Sequence, residues 1–338
     1  MRFFRMLSKT NSLGEVALKS LKSYLTLFIA LSLVVGGGQI AALAASTLQL
    51  ETQANNDLIQ ELRLAAGLAL ADIYVDTKSI DQLEALAGDA SRSPEHRLGA
   101  ATALSQLYVS GVTDGTVTLD HLLDVATNGA TAELRGAAKT ALVDRLVGNN
   151  NAAALADGLA GATNAELADA YATALIVRLA VSLTSGSPAS ILARTETVAG
   201  GGVITVAGVT LDGSNEAVQL AMAREYLSGF YVQFGNLVFD DLVGELTDRA
   251  ENGATAGVRE AASIALETLS LSGQSAAAVE SVAADGASAE LRAAAGRVLA
   301  RKLAESPDRE ALIFKVVANT LVHPEVARAA AIALSDVL

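Results

Sequence analysis

A recurring segment constrains the fold of this chain more than any other feature of its sequence. TAELRGAAKTALVDRL, residues 131–146, returns as SAELRAAAGRVLARKL, residues 288–303. Both copies have a first apolar residue, small residues at +3 and +4, and large residues at +8 and +12. The first positions of all the matching segments are Leu62, His96, Leu134, Leu167, Val218, Val258, Leu291 and Val326. They lie 33 to 51 residues apart, and such a period is typical of arrays of helical pairs.

The spacing of the apolar positions indicates that each segment is the second helix of a helix-turn-helix unit. Offsets 0, +3, +4, +7, +8 and +12 share one face of an α-helix. Ser93, Thr131 and Ser288 stand where a helix N-cap is needed, each followed two residues later by a glutamate. The sequence therefore predicts an all-α solenoid of about eight units, beginning near residue 51.

Two of the segments carry a family resemblance. PEHRLGAA at 94–101 and PEVARAA at 324–330 resemble the P-x-V-R-x-A-A second helix of HEAT repeats. The short, alanine-rich units are also similar to the HEAT-like repeats of phycobilisome lyases. The resemblance covers roughly 58–338 and implies a curved scaffold that binds other proteins, with no shared catalytic residue. Ala168 and Gln219 replace the arginine, and Arg328 is shifted by one position.

Composition excludes several classes of function. The chain has no cysteine, which removes disulfides, thiolate metal sites and cysteine nucleophiles. Its net charge is −13, and residues 1–46 contribute five basic side chains against one acid, leaving −17 for the remainder. An acidic surface of this kind repels phosphate, so a nucleic-acid partner is not expected.

The first fifty residues predict a membrane or export segment. Residues 1–23 are basic and weakly amphipathic. Residues 24–50 carry no charge, and this uncharged run is longer than the ~20 residues that a helix needs to span a bilayer. A cleavable signal peptide, with Ala42-Leu43-Ala44 before the cut, and a retained anchor both fit. We favour the anchor, because small residues four apart suit packing between membrane helices. These residues are Gly37, Gly38, Ala41, Ala42 and Ala45.

Either interpretation places the N-terminus in the cytoplasm and the solenoid outside it, because the positive charges precede the apolar run. The solenoid itself divides by pattern into an N-terminal half, 51–183, and a C-terminal half, 215–338. Between them, residues 184–214 contain three consecutive glycines and a β-branched alternation from Val203 to Leu211. We predict a long loop there, with a short β-hairpin.

The sequence predicts no catalytic residue, cofactor site or metal site. The three histidines, His96, His121 and His323, lack the spacing of a zinc motif. The segments 114–120 and 212–216 hint at calcium loops, but ordinary turn chemistry explains them. The recurrent Glu and Arg beside the first apolar position are interpreted as helix-end charges and ion pairs between units.

One aromatic cluster follows the 184–214 segment: Tyr226, Phe230, Tyr231, Phe234 and Phe239. These side chains either fill a distorted unit or form a docking patch for a partner, and the second interpretation makes them candidate partner-binding residues.

The expected function is therefore that of a non-enzymatic scaffold or structural subunit of a bacterial cell envelope, which binds other proteins or copies of itself. The alternative is a HEAT-like accessory protein of an enzyme or pigment complex, similar to bilin lyases.

Overall fold

The computed structural model describes the backbone from residue 39 and the side chains from residue 47, in both cases to Leu338. The first helices are α1 (Gln39–Asn56), α2 (Gln60–Thr77), α3 (Ile80–Gly88), α4 (Pro94–Asp114), α5 (Leu119–Asn128), α6 (Ala132–Ala137), α7 (Lys139–Asn149), α8 (Ala152–Ala160) and α9 (Ala165–Leu183). They are followed by α10 (Pro188–Ala199), β1 (Val203–Val206), β2 (Val209–Asp212), α11 (Glu216–Met222), a π-helical turn (Ala223–Leu227), α12 (Ser228–Phe234) and a 3-10 turn (Gly235–Leu237). The last elements are α13 (Leu242–Asn252), α14 (Ala256–Leu269), a 3-10 turn (Leu271–Gly273), α15 (Ala276–Asp285), α16 (Ala289–Ala304), α17 (Arg309–Asn319) and α18 (Pro324–Ser335). The prediction of a mostly α-helical fold with one small hairpin is confirmed at this level.

The predicted N-caps begin the helices and also join neighbouring units. The Ser93, Thr131 and Ser288 hydroxyls each accept a hydrogen bond from the backbone N–H three residues later. The Thr131 hydroxyl also donates to the carbonyl oxygen of Ala87, at the end of α3, over 2.5 Å. Ser93 donates in the same way to Ala54 in α1. The Ser93 and Thr131 caps therefore satisfy free backbone groups on two helices at once, as helix ends require.

The second helix of each unit packs against the second helix of the next unit. We call these the ring helices: α2, α4, α6 with α7, α9, α11 with α12, α14, α16 and α18. The first helix of a unit, such as α3, α5 or α15, packs against the ring helix that follows it. The described residues therefore form a helical repeat array, and the predicted register of the repeat is the register of the ring helices.

The array closes on itself. The last ring helix, α18, packs against the first, α2, and we call this contact the seam. Ala65 of α2 is fully buried in one apolar cluster with Ala330, Ala331 and Leu334 of α18. Beside it, the Thr320 hydroxyl shares its proton between a carboxylate oxygen of Glu61, at 3.1 Å, and the backbone carbonyl oxygen of Val316, at 2.8 Å. An open solenoid would leave its first and last units without such a contact, so the ring is a feature that the repeat pattern did not predict.

Small residues at the predicted positions let the ring helices approach closely. Ala138 and Ala295, at offset +4, are fully buried. The closest approach is between α2 and α4, where a Cβ built on Gly99 would lie 2.0 Å from the carbonyl oxygen of Gly67. A Cβ on Gly67 would lie 2.1 Å from the carbonyl oxygen of Glu95. Backbone packs directly on backbone there, which only glycine allows.

The segment 184–214 differs from the predicted long loop, because it contains the helix α10. Pro188 occupies its first turn, and Ile191, Leu192 and Val198 are buried. The hairpin is present, with β1 paired antiparallel to β2. Its two-residue turn places both Ala207 and Gly208 at positive φ, 49° and 79°, as hairpin turns of this length require. The irregular 51-residue step thus contains an ordinary first helix followed by the hairpin.

The regions 51–183 and 215–338, predicted as two halves of one solenoid, share a hydrophobic core. One continuous hydrophobic core runs from Leu50 to Ala329, and it includes residues of the intervening segment, among them Leu192 and Leu211. Residues 47–338 form a single compact unit.

The predicted membrane segment falls largely outside the described residues. Residues 1–23, Gly37 and Gly38 are not described, and the side chains of Ala41, Ala42 and Ala45 in α1 are not described either. Leu50, the last residue of the predicted span, is buried in the core of the ring. Within the described part of the chain, no helix is both long and apolar enough to cross a bilayer.

Candidate functional site

Arginine–glutamate pairs connect successive units along the edge where the ring helices begin. Arg63 pairs with Glu95 at 3.1 Å, and Arg135 pairs with Glu166 at 3.0 Å. Arg97 with Glu133 and Arg259 with Glu290 make the same contact. Each arginine also donates to a backbone carbonyl just before its own helix, as Arg135 does to Gly129 over 3.0 Å. These pairs are the inter-unit ion pairs that the sequence predicted, and their groups are occupied in holding units together.

Replacing Arg135 with glutamine is expected to lower the free energy of unfolding by about 1 kcal/mol, because the pair with Glu166 is partly exposed to solvent. Replacing the fully buried Ala138 with leucine is expected to cost more, about 1–3 kcal/mol, because the added side chain overpacks the contact between ring helices. Denaturant unfolding of both variants checks the order. A larger loss from the arginine would mean that the pair contributes more than a surface contact.

A second kind of junction lies deeper, between the first and second units. The Tyr74 hydroxyl donates to Glu51 over 2.7 Å, and the His96 ring nitrogen Nε2 lies 2.8 Å from the same hydroxyl oxygen. The other ring nitrogen, Nδ1, lies 3.2 Å from the Asn55 amide nitrogen and 3.0 Å from the Arg92 guanidinium. The Tyr74 hydroxyl has one proton, which it donates to Glu51. Nε2 of His96 must therefore carry a proton and donate it to the Tyr74 oxygen, and Nδ1 must accept. A neutral imidazole therefore fits this junction, with Arg92 and Asn55 sharing the one lone pair of Nδ1.

Two further junctions use the same kinds of residue, but there the basic side chain contacts the glutamate instead of the tyrosine. Tyr108 donates to Glu84 over 2.7 Å, and His121 lies 2.8 Å from the same carboxylate oxygen. Tyr231 donates to Glu196 over 2.6 Å, with Arg249 3.0 Å away in the role of the histidine. In each case one unit supplies both the tyrosine and the glutamate, and the next unit supplies the histidine or arginine. Burial raises the pKa of all three tyrosines, so they stay protonated as donors.

The junctions were not predicted, although the sequence holds a signal for two of them. Tyr74 and Tyr108 both stand at offset +12, where four of the other units have leucine. Tyr231 stands at offset +13, because the π-helical turn at Ala223–Leu227 inserts one residue into its helix. No pattern within one unit could have shown that the histidine or arginine of each junction comes from the following unit.

Burial, and then the neighbouring Arg92 cation, lower the pKa of His96 from 6.5 to about 4, while the carboxylates of Glu51 and Asp89 oppose the shift. Between pH 6.5 and about pH 4, His96 therefore binds a proton in the unfolded chain but not in the folded chain. Stability from this group is complete above pH 6.5 and falls as the pH drops through that window. The expected loss is about 3 kcal/mol in total.

Unfolding by denaturant at pH values from 7 down to about 4 tests this expectation. His96→Gln should flatten the decline, at the cost of a lower stability at neutral pH. His323→Gln is the matched control, because His323 lies outside the junctions, and it should keep the decline. An unchanged slope in His96→Gln would mean that other groups cause it.

The predicted aromatic docking patch is divided by the structure. Phe230 and Tyr231 are buried in the core, and Tyr226 is half-buried. Phe239 is half-buried under the Arg249 guanidinium, which lies 4.6 Å from the centre of its ring. Burial removes Phe230 and Tyr231 from any docking surface, in agreement with the interpretation that these rings fill a distorted unit. Phe234 alone is mainly at the surface, and its ring contacts that of Phe230 at 5.5 Å.

The two segments that were considered as calcium loops, 114–120 and 212–216, form ordinary turns. Asp114 accepts from the backbone N–H and hydroxyl of Thr116, and Asp212 accepts from the backbone N–H of Ser214, as in ordinary turns. Within the described residues, no group of three or more His, Asp or Glu side chains is placed to hold a metal ion.

The comparisons with known proteins leave the resemblance without support from any relative. No family model, curated protein or solved structure matches the chain.

Apart from Leu48, Val109, Val203 and Val243, the large apolar side chains that are exposed in the described part of the chain fall into two groups. Near the ends of ring helices in the fourth and fifth units, the exposed side chains are Val177, Val181, Phe234 and Leu237. Near the seam, they are Leu58, Phe314, Leu321 and Val322. Neither group is needed to fill the core, so both are candidate contact surfaces.

Proposed function

We propose that this chain is a non-enzymatic, protein-binding scaffold of the HEAT-like type, exported and anchored in a membrane by its N-terminal segment. The repeated helical units support this proposal, since such arrays present large continuous surfaces to other proteins. The basic residues 1–23 and the uncharged run 24–50 support the anchor.

The observation that carries the binding role is the exposed aromatic at the end of α12. Phe234 is 42% exposed, and Leu237, three residues later, is also exposed. The buried Phe230 ring lies beneath Phe234 at 5.5 Å and restricts its motion. A rigid aromatic beside an aliphatic residue is the kind of anchor that dominates protein interfaces, because little side-chain entropy is lost on binding.

The net charge of residues 47–338 indicates which partners are attracted. Residues 47–338 carry −17, so a neutral or basic partner is attracted and an acidic one is repelled. We propose that the partner surface combines an apolar pocket for Phe234 with a basic rim. Membrane attachment of both proteins would raise their local concentration and allow a modest affinity to suffice.

The test uses full-length protein solubilised from membranes, whose complexes are measured by native mass spectrometry. Phe234→Ser with Leu237→Ser should lose the partner while the melting temperature changes little. Val243→Ser is the matched control, because Val243 in the sixth unit is exposed to the same degree, 41%, and it should retain the partner. Equal recovery of the complex with both variants would contradict the binding surface. A visible absorbance band in the purified protein would instead favour the pigment-associated alternative.

The anchor is tested separately. Protein that begins at Met1 or Arg2 and resists carbonate extraction is the expected result. A freely soluble protein that begins at Ala45 would show that the segment is a cleaved signal.

A further inference from the structure

The ring helices carry a row of side chains that the first helices of the units leave uncovered. These side chains stand at offsets +2, +6 and +10 from the first apolar position, on the side of the helix away from the buried stripe. Throughout the eight units, only Thr173 and Ser228 are buried at these offsets. We call this row the open face of the ring.

On the open face, charged side chains of adjacent units form pairs. Arg224, at offset +6 in the fifth unit, donates from Nε to Glu260, at offset +2 in the sixth unit, over 3.0 Å. Lys139 of the third unit pairs with Asp169, which also stands at offset +2, in the fourth unit. A carboxylate at offset +2 is therefore placed to meet a basic side chain of the preceding unit.

The boundary between the seventh and eighth units differs from this pattern, because arginine occupies both positions. Arg297 stands at offset +6 in α16 and Arg328 stands at offset +2 in α18, and both side chains are exposed. The two helices are close together, since a Cβ built on Gly296 would lie 3.4 Å from the carbonyl oxygen of Glu325. Two positive charges thus occupy the positions that hold an ion pair between the fifth and sixth units.

The carboxylates around these arginines do not neutralise them. Arg297 donates from Nε to Glu267 of the sixth unit over 2.7 Å, and Arg301, one turn further along α16, donates to the same carboxylate over 3.2 Å. Arg328 makes no ion pair with any described residue. The Glu325 carboxylate also faces α16, so three arginines face two carboxylates at this boundary of the described chain.

We call Arg297, Arg301 and Arg328 the arginine cluster. It keeps an excess positive charge on the open face, although residues 47–338 as a whole carry −17. Guanidinium groups bind carboxylates through pairs of parallel hydrogen bonds, and such charge-assisted bonds are among the strongest that proteins make. The cluster is therefore suited to a ligand that brings carboxylates of its own.

An apolar strip continues the open face beyond the arginine cluster. At the seam and at the boundary that follows it, offsets +6 and +2 hold four aliphatic side chains, all of them half-buried: Ile332, Leu64, Leu68 and Leu98. Because none of the four is buried, they form a shallow strip rather than an enclosed pocket. A shallow strip suits a peptide segment, whereas a small free ligand such as a fatty acid needs a pocket that covers most of its surface.

We propose that the arginine cluster and the apolar strip bind an acidic segment of a partner protein, with its carboxylates on the arginines and its aliphatic side chains along the strip. The inference rests on the proposed scaffold function and adds a second contact for the same partner. The net charge of residues 47–338 repels acidic proteins as a whole. The segment is therefore short and belongs to a partner that is otherwise neutral or basic.

The probe is a fluorescein-labelled peptide with the sequence Glu-Glu-Leu-Ala-Leu-Leu, whose binding to full-length protein in detergent is followed by fluorescence anisotropy. Arg297→Gln and Arg328→Gln should each weaken binding about tenfold or more, as removal of a charge-assisted contact does. A Kd weaker than about 1 mM for the unchanged protein would overturn the proposal.

The matched control is Arg224→Gln, which removes the same charge at the same offset of the open face. The Arg224 side chain is 40% exposed, against 43% for Arg297. This variant should keep the affinity of the unchanged protein. Equal losses in Arg224→Gln and in the two cluster variants would mean general attraction between unlike charges and would overturn the proposal.

Three further ligands separate the two parts of the site. A peptide with glutamine in place of both glutamates should not bind, and a peptide with serine in place of the three leucines should bind more weakly. Equal binding of either peptide would reject the proposed segment. Inorganic phosphate that displaces the labelled peptide at micromolar concentration would show a phosphate site instead.

Thermal unfolding shows whether the cluster holds the fold. Arg328→Gln should leave the melting temperature unchanged or raise it, because the change relieves repulsion between like charges. A melting temperature below that of Arg224→Gln would make Arg328 a structural residue and overturn the proposal.

The outcome for this site is distinguishable from the outcome for the proposed function. Loss of peptide binding in the unchanged protein, together with intact partner binding at Phe234, would reject the arginine cluster and leave the scaffold function standing. Peptide binding that depends on Arg328, without any partner at Phe234, would support the cluster and reject the binding surface at the end of α12.

Discussion

Replacing Gly99 with alanine is expected to lower the free energy of unfolding by about 3 kcal/mol or more, the upper part of the range for overpacked contacts. The new methyl would lie 2.0 Å from the carbonyl oxygen of Gly67, and neither atom is on a flexible side chain. The helices α2 and α4 must move apart, which loosens the contacts on both sides of the clash. The gain in helix propensity, about 1 kcal/mol, offsets only part of this loss.

The matched control is Gly136→Ala in α6. A Cβ at Gly136 would meet nothing within 4 Å, so this variant should be unchanged or more stable by up to about 1 kcal/mol. Denaturant unfolding of the two variants and of Gly67→Ala gives the comparison. If Gly99→Ala and Gly136→Ala behaved alike, the backbone contact between α2 and α4 would not be as close as described.

Replacing Tyr231 with alanine is expected to cost about 3–5 kcal/mol, as for other large buried aromatics. The side chain is fully buried, and its hydroxyl donates to Glu196 over 2.6 Å. Tyr231→Phe should cost less, about 1–2 kcal/mol, because Glu196 keeps its pair with Arg249 and loses one hydrogen bond. Phe234→Ala, three residues along the same helix, should cost about 1 kcal/mol or less, because its ring is partly exposed.

Thermal or denaturant unfolding of the three variants separates the two interpretations of the aromatic cluster residue by residue. A large loss for Tyr231→Ala with a small one for Phe234→Ala is the expected order. The reverse order would place Phe234 in the core and remove the binding surface proposed for it.

The sequence predicted the local features of the fold because each depends on residues close together in the chain. The period of Leu134 and Leu291 set the register of the ring helices, and the caps at Thr131 and Ser288 set their starts. The helix α10 was missed because its residues, such as Thr195 and Thr197, lack the alternation of small and large side chains found in other units.

The repeat pattern could not predict the long-range contacts, for a different physical reason. Closure depends on the sum of small rotations over all units, so Ala65 carries no sign that it will meet Ala330. The junctions join residues of adjacent units, as Glu51 and His96 do, and a repeat alignment compares equivalent positions rather than contacting ones. The same limit applies to the aromatic cluster, where spacing placed Phe230 and Phe234 on one helix face without showing which of them solvent reaches.

Closure fixes the number of units in a way that an open array does not. Open arrays can gain or lose a unit in evolution, since each unit contacts only its neighbours and polar units finish the two ends. Here α2 and α18 cover each other instead, with Ala65, Ala330 and Ala331 buried between them. Duplicating or deleting one unit would change the total rotation around the ring, and the first and last helices would no longer meet. Descent of this protein is therefore expected to proceed by substitution within eight units rather than by change in their number.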